Sequence, residues 1–248
     1  MKTVPLTVSH ARSVAALHIH GINTGFISSL GIDFVTALYE AIARSASSFG
    51  FAVEDNDKVL GFVAFTTNLS SLYKSIIAKK GWRFVLLLAG RMFSLKTVKR
   101  IFETLFYPSR VKKMDLPDAE LLSIAVDPEK YHNGLATELV RKSLEYCKKI
   151  GLDKVKVLVA AANEPANRLY LKCGFKLVGQ IDNHGVTSNI YQTTTDTALL
   201  QNSVRKNSKP STQPLLSEKT RSVLPPLDPV AIGFFAARRP KLRRKRSA

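Results

Sequence analysis

A short β-rich run at residues 4–8 is followed by apolar positions at Val14, Leu17 and His18, which share one face of a helix predicted over residues 11–20. Three glycines and several hydroxyl or amide side chains between Gly21 and Gly31 predict a loop. Phe34, Leu38 and Ile42 then step by four and predict a second helix over residues 33–44. Residues 49–54 and 59–65 are β-rich and joined by Asp55-Asn56-Asp57-Lys58, a polar hairpin turn. The opening of the chain thus predicts strand, two helices and an antiparallel hairpin.

Residues 119–126 read as another strand. Plain alternation puts Leu121, Ser123 and Ala125 on one face, and Glu120, Leu122, Ile124 and Val126 on the other. Asp127-Pro128 ends it, because proline cannot continue a central ladder. Polar residues lead to Gly134, after which Leu135, Leu139, Val140, Leu144 and Cys147 define a helix face that stops at Gly151. A strand over 154–161 carries Val155, Val157 and Val159 on one face. Asn163 is placed to cap a short helix with Pro165 in its first turn; Ala166, Leu169, Tyr170 and Cys173 share its face and Gly174 closes it.

The segment 70–117 interrupts this order. Leu95, Val98, Ile101, Phe102, Leu105 and Phe106 follow helical spacing with Lys96, Lys99 and Arg100 opposite. Residues 82–93 are apolar nearly all round and flanked by Lys79, Lys80, Arg83 and Arg91. Two or three helices forming a lid or subdomain are expected here. Past Thr195 periodicity fades. Residues 203–229 are rich in Ser, Pro, Lys and Thr, a composition that buries too little apolar surface to fold. The expected division is a folded domain over 1–197 and a disordered basic tail over 198–248.

Charge sharpens that division. The 248-residue chain carries +18, yet residues 72–113 hold eleven Lys/Arg against one acid and residues 205–248 hold twelve against two. Each segment contributes +10, so the rest is mildly acidic and has no intrinsic pull on polyanions. For the basic segments, a solvated face over a core contact stands beside an anionic membrane surface, contacted through 79–113 and 230–246, with nucleic acid the lesser alternative. Cys147 and Cys173 sit at apolar helix positions without ligand-spaced partners and read as buried reduced thiols, so no metal is expected. The N-terminus lacks the apolar core of a signal peptide, and the longest apolar run, 84–90, is far below the roughly 20 residues that span a bilayer. A cytoplasmic protein, peripheral to the membrane at most, is expected.

The turn before the helix at 135 carries the chemistry. Free N–H groups and the positive dipole end of a helix N-terminus suit an anion, and a glycine there lets phosphate approach the backbone. Tyr170 is either a core aromatic or a phenol able to donate a proton. Together these stretches resemble the GNAT superfamily of acyl-CoA-dependent N-acyltransferases. The family's Q/R-x-x-G-x-G/A loop corresponds to Tyr131-His132-Asn133-Gly134-Leu135-Ala136, with Tyr131 departing from the usual Gln or Arg. The N-x-x-A-x-x-x-Y-x-x-x-G-F pattern is met by Asn163, Ala166, Tyr170, Gly174 and Phe175.

The resemblance implies an α/β (α+β) fold: a mixed, mostly antiparallel central sheet flanked by helices, with a helical insertion before the central strand. It implies acetyl-CoA as co-substrate, with Ile124, Ala125 and Val126 pairing its pantetheine arm, residues 131–136 holding its pyrophosphate, and Asn163 and Ala166 beside it. Tyr170 would protonate the leaving thiolate, and Glu120 is the carboxylate best placed to act as base. The acceptor would be a small-molecule amine, contacted by Asn23, Thr24, Gly25 and Phe26 and by the 70–117 insertion. The polar first segment with Phe26 suits an amino sugar. The basic, apolar insertion disfavours free polyamines and suits an anionic acceptor such as a nucleotide-linked sugar; a protein N-terminus or lysine stays open. The competing class is a GNAT-like binding protein that has lost catalysis and uses its basic segments on membrane or nucleic acid.

Overall fold

Asn56 and Asp57 adopt positive φ (47° and 64°), the conformation that a two-residue hairpin loop needs to match strand twist. They join β2 (Ser48–Asp55) to β3 (Lys58–Thr66), with Asp55 opposite Lys58. This hairpin starts the sheet of a computed structural model that describes residues 1–22, 25–89, 115–130, 133–183, 186–196 and 232–233. β1 (Lys2–Pro5) adds to β2, two residues earlier than its apolar run suggests. β4 (Glu120–Val126) pairs with β3, and β5 (Lys154–Ala160) follows it in the sheet. β6 (Lys176–Asn183) and β7 (Val186–Thr194) complete the order β1-β2-β3-β4-β5-β7-β6. Every pairing is antiparallel except β4 with β5. The mostly antiparallel mixed sheet is the expected class.

Helices cover both faces. On one face lie α1 (Ala11–Gly21), α2 (Phe26–Ser29), α3 (Ile32–Arg44) and α4 (Leu69–Ala89). Val14, Val35, Tyr39, Ile42 and Leu72 form the core there with Phe62, Leu122 and Ala125. On the other face, α5 (Leu135–Lys149) and α6 (Glu164–Lys172) bury Leu139, Leu144, Cys147, Leu169 and Tyr170 against Val63, Ile124 and Val157. The loop expected from Gly21 to Gly31 is shorter than its composition suggests. α1 runs through Gly21, and residues 26–29 wind into a single turn whose Ser28 and Ser29 hydroxyls donate to the Ile22 and Phe26 carbonyls. Of the two or three helices expected in 70–117, α4 is described; residues 90–114 lie outside the described residues. So does the tail expected to be disordered, apart from β8 (Ile232–Gly233), which pairs antiparallel with β4.

Candidate functional site

The site begins with an irregularity in β4. Ala64 pairs with Ser123, but the next residue, Phe65, pairs with Leu121, so Leu122 is an extra residue in the strand. Such a bulge bends its strand and re-aims the side chains beyond it. Plain alternation therefore fails here. Leu121 shares a core with Ile124 and Val126, whereas Leu122 shares the opposite core with Ala125. The grouping of Leu121 with Ala125, and of Leu122 with Ile124, is corrected by this one inserted residue.

Past the bulge, β4 leaves its neighbour. It pairs with β5 only at Glu120↔Lys156 and Leu121↔Val157, while β5 continues against β7 through Ala160↔Ser188. The β5-facing edge of Ser123–Val126 is thus unpaired with β5, and a wedge-shaped gap opens between the two strands. Backbone N–H and C=O groups at such an edge seek partners, and an extended arm bearing amides supplies them. Part of that edge is met by the chain itself, through Ser123↔Gly233 and Ile124↔Ile232. Ile124, Ala125 and Val126 lie along this gap.

The turn after β4 is held at both ends. The Asp127 backbone N–H donates to the Leu60 carbonyl (2.7 Å), and its carboxylate accepts from the Glu129 N–H (3.1 Å) and pairs with the Lys58 ammonium (2.9 Å). The hydrogen bond from Lys58 keeps the Asp127 carboxyl below the usual carboxylate range. Gly134 then adopts φ 76°, ψ 0° as the N-cap of α5 and makes no side-chain cap bond. A left-handed φ favours glycine, and the first-turn N–H groups of α5 have no intrahelical acceptors. A Cβ built on Gly134 would meet nothing within 4 Å among the described residues. Asn133 and Gly134 are exposed, Leu135 is buried and Ala136 is half-buried; Tyr131 and His132 lie outside the described residues.

α6 borders the other side of β5. Asn163 caps it, its Oδ1 accepting from the Ala166 N–H at 3.2 Å. Tyr170 is fully buried beside Phe175 and Tyr191, with ring centroids at 5.4 and 6.2 Å. Its hydroxyl has no hydrogen-bond partner among the described residues. Burial pushes this phenol well above its ordinary value, which keeps it protonated. Asn167, which the sequence reading passed over, ties the region together. Its Nδ2 donates to the carbonyls of Asn163 (2.6 Å) and Ala160 (3.1 Å), and its Oδ1 accepts from Asn189 and Tyr191 (2.8 Å each). Its place one helical turn after the cap Asn163 was the available signal.

Glu120 stands at the apex of the gap, where β4 and β5 still pair. It is buried, and the buried Lys156 ammonium lies 3.6 Å from its Oε2. Lys156 also donates to the carbonyls of Pro117 and Asp118. The carboxylate therefore faces a fixed cation rather than open solvent. A second polar chain, also missed, crosses the opposite core: Tyr39 Oη lies 2.7 Å from both His18 Nδ1 and Ser123 Oγ. Burial pulls His18 down to about 3, so it is neutral.

Of the expected acceptor residues, Gly25 caps α2 and Phe26 is packed into the core beside Leu30 and Tyr39, which commits its ring to packing. Asn23 and Thr24 lie outside the described residues. An open cavity of about 570 Å³ lies elsewhere, between α1, the β2–β3 turn and Asp127, and borders the start of the anion turn rather than the gap. Among the described residues no three His, Cys, Asp or Glu gather where they could hold a metal ion, and no helix is long and apolar enough to cross a membrane.

The family model for the GNAT acetyltransferase family matches residues 22–175, more than half of the chain, from α2 through α6. The chain belongs to the GNAT acetyltransferase family. Solved GNAT structures share the fold. A putative GNAT acetyltransferase from Desulfovibrio desulfuricans superposes with TM-score 0.51 at 13% identity, covering 78% of this chain and 99% of the other. A mutant spermidine N-acetyltransferase from Vibrio cholerae gives 0.51 at 18% identity, covering 82% and 99%. A chimera of that enzyme with hSSAT gives 0.51 at 19%, covering 80% and 97%. Among curated proteins, no sequence matches this GNAT chain.

Proposed function

We propose that this GNAT protein transfers the acetyl group of acetyl-CoA to a primary amine, by direct attack within a ternary complex. The observation that carries this reading is the gap opened where β4 leaves β5 after Leu121, with the uncapped Gly134 turn following the strand. Ser123–Val126 would pair with the amides of the pantetheine arm. The first-turn N–H groups of α5 would receive the pyrophosphate, whose charge the helix dipole favours. Holding both reactants in one gap removes most of the entropic barrier to their encounter.

The amine nitrogen forms the new C–N bond as the thioester C–S bond breaks. Tyr170 gives its proton to the departing thiolate, and the proton lost by the attacking amine goes to Glu120, directly or through one water. Tyr170 supports its role through a buried, unpartnered hydroxyl. Glu120 has the weaker support, because Lys156 already balances its charge. Replacing it by glutamine separates the two halves: loss of turnover with acetyl-CoA binding intact supports the base, and unchanged turnover removes it from the mechanism.

The acceptor we propose is a small polar amine such as an amino sugar; protein N-termini, lysine and the spermidine used by the named structural neighbours are the comparison arms. The chain's own use of the β4 edge favours a second reading, a GNAT fold that binds without catalysing. Calorimetric titration with acetyl-CoA discriminates the two, followed by thiol release across a panel of amines. Acetyl-CoA binding that Gly134→Glu abolishes, with turnover on one amine class, is the expected result. No binding of acetyl-CoA, or binding unaffected by Gly134→Glu, overturns the reading.

A further inference from the structure

The outward face of α4 is neither core nor ordinary polar surface. At steps of four, Lys74, Ala78, Trp82 and Leu86 form one exposed row, flanked by the exposed Ile77 and Lys79. Trp82 is 69% exposed, Leu86 63% and Ile77 56%. The inner face packs on the domain: Leu72 is buried, Phe84 meets Phe34 of α3 edge-to-face at 5.1 Å, and Arg83 pairs with Glu40 at 2.6 Å. The helix is therefore fixed to the domain by one face and presents tryptophan, leucine and isoleucine to solvent on the other.

We propose that this face of α4 docks on an anionic lipid surface. A tryptophan beside leucine and isoleucine suits the headgroup–acyl boundary, where an indole can bury its ring and keep its N–H wet. Lys74 and Lys79 flank the row with stems long enough to lie along it while the ammonium groups reach phosphate. Charge names the partner: α4 carries Lys74, Lys79 and Lys80 besides the paired Arg83, and no acid, so its net charge is drawn to an anionic leaflet. Nucleic acid would use the ammonium groups but has no use for exposed Leu86 and Ile77. α4 lies against α3, in the helical layer that also holds Phe26 of the expected acceptor segment. A membrane at α4 therefore stands on the helical layer that carries that segment.

Trp82 is the single tryptophan of the chain, so its fluorescence reports on this face alone. The experiment titrates the full chain with phosphatidylcholine vesicles, with and without phosphatidylserine, reading tryptophan emission and co-sedimentation, then repeats it with lipids brominated on the acyl chains. The expected result is a blue shift and bromine quenching that require phosphatidylserine. Leu86→Glu, an exposed change that leaves folding and acetyl-CoA binding alone, lowers the partition constant by about tenfold, since it replaces buried apolar area with a charge. Sedimentation without a Trp82 shift would assign lipid binding to another segment and overturn the proposal. Absence of binding does the same, as does an equal Trp82 response to duplex DNA or RNA. None of these readouts depends on acetyl transfer.

Discussion

Tyr170 and His18 are both buried polar side chains, and they make opposite predictions. A buried hydroxyl without a partner costs about 1–3 kcal/mol, so Tyr170→Phe is expected to leave thermal stability unchanged or slightly raised. If Tyr170 donates to the leaving thiolate, the same change lowers turnover by roughly 10²–10⁴-fold. A variant that melts normally and turns over normally would end the assignment of Tyr170 as the acid. His18 instead couples pH to folding. Its value falls from 6.5 to about 3 on folding, so the unfolded chain binds a proton that the folded chain does not. The stability it contributes is complete above the unfolded value and is lost as pH falls toward the folded one, with a limiting slope of about 1.4 kcal/mol per pH unit. Denaturant melts from neutral pH downward should steepen in the wild type and flatten in His18→Gln. The sequence put His18 on the apolar face of its helix; the Tyr39 and Ser123 partners, distant in sequence, were invisible there.

At the scale of elements, strand, turn, helix, strand and capped helix were legible because each announces itself locally: Pro128 ends β4, Gly134 opens α5, Asn163 caps α6. What stayed hidden depends on pairing. A bulge leaves no mark in the composition of its own strand, so the faces of β4 were misassigned beyond Leu121. The single turn at Phe26–Ser29 looked like loop because glycines flank it and serines fill it. β8 could not be foreseen either, since the brief apolar patch at 230–237 carries no period that names a partner strand. Its pairing with Ser123 and Ile124 occupies an edge that the pantetheine arm would need. Ile232→Pro removes a ladder donor. In the full chain it is expected to tighten acetyl-CoA binding several-fold by calorimetry. An unchanged affinity would mean that the two segments do not compete.

For the whole molecule, two cores back to back on one sheet explain why the cysteines are silent. Cys147 and Cys173 both lie in the core between the sheet and α5 and α6, and burial pushes each thiol up to about 12. Neither should react with iodoacetamide at neutral pH until the domain unfolds, when both should label together; early labelling of one would reveal local opening of its helix. Charge is unevenly placed along the sequence. The sheet and its two cores account for a mildly acidic body, whereas the basic excess belongs to the segment that begins with α4 and to the tail.

The extra residue at Leu122 also dates the strand's grammar. On a regular strand, a scan of every position with every amino acid returns tolerance that alternates with a fixed beat. Across β4 that beat should slip by one place, with positions 121 and 124 reading alike and positions 122 and 125 reading alike. Deleting a single codon there would restore the rhythm and close the wedge. The shortened chain would then carry a more regular sheet and a worse enzyme.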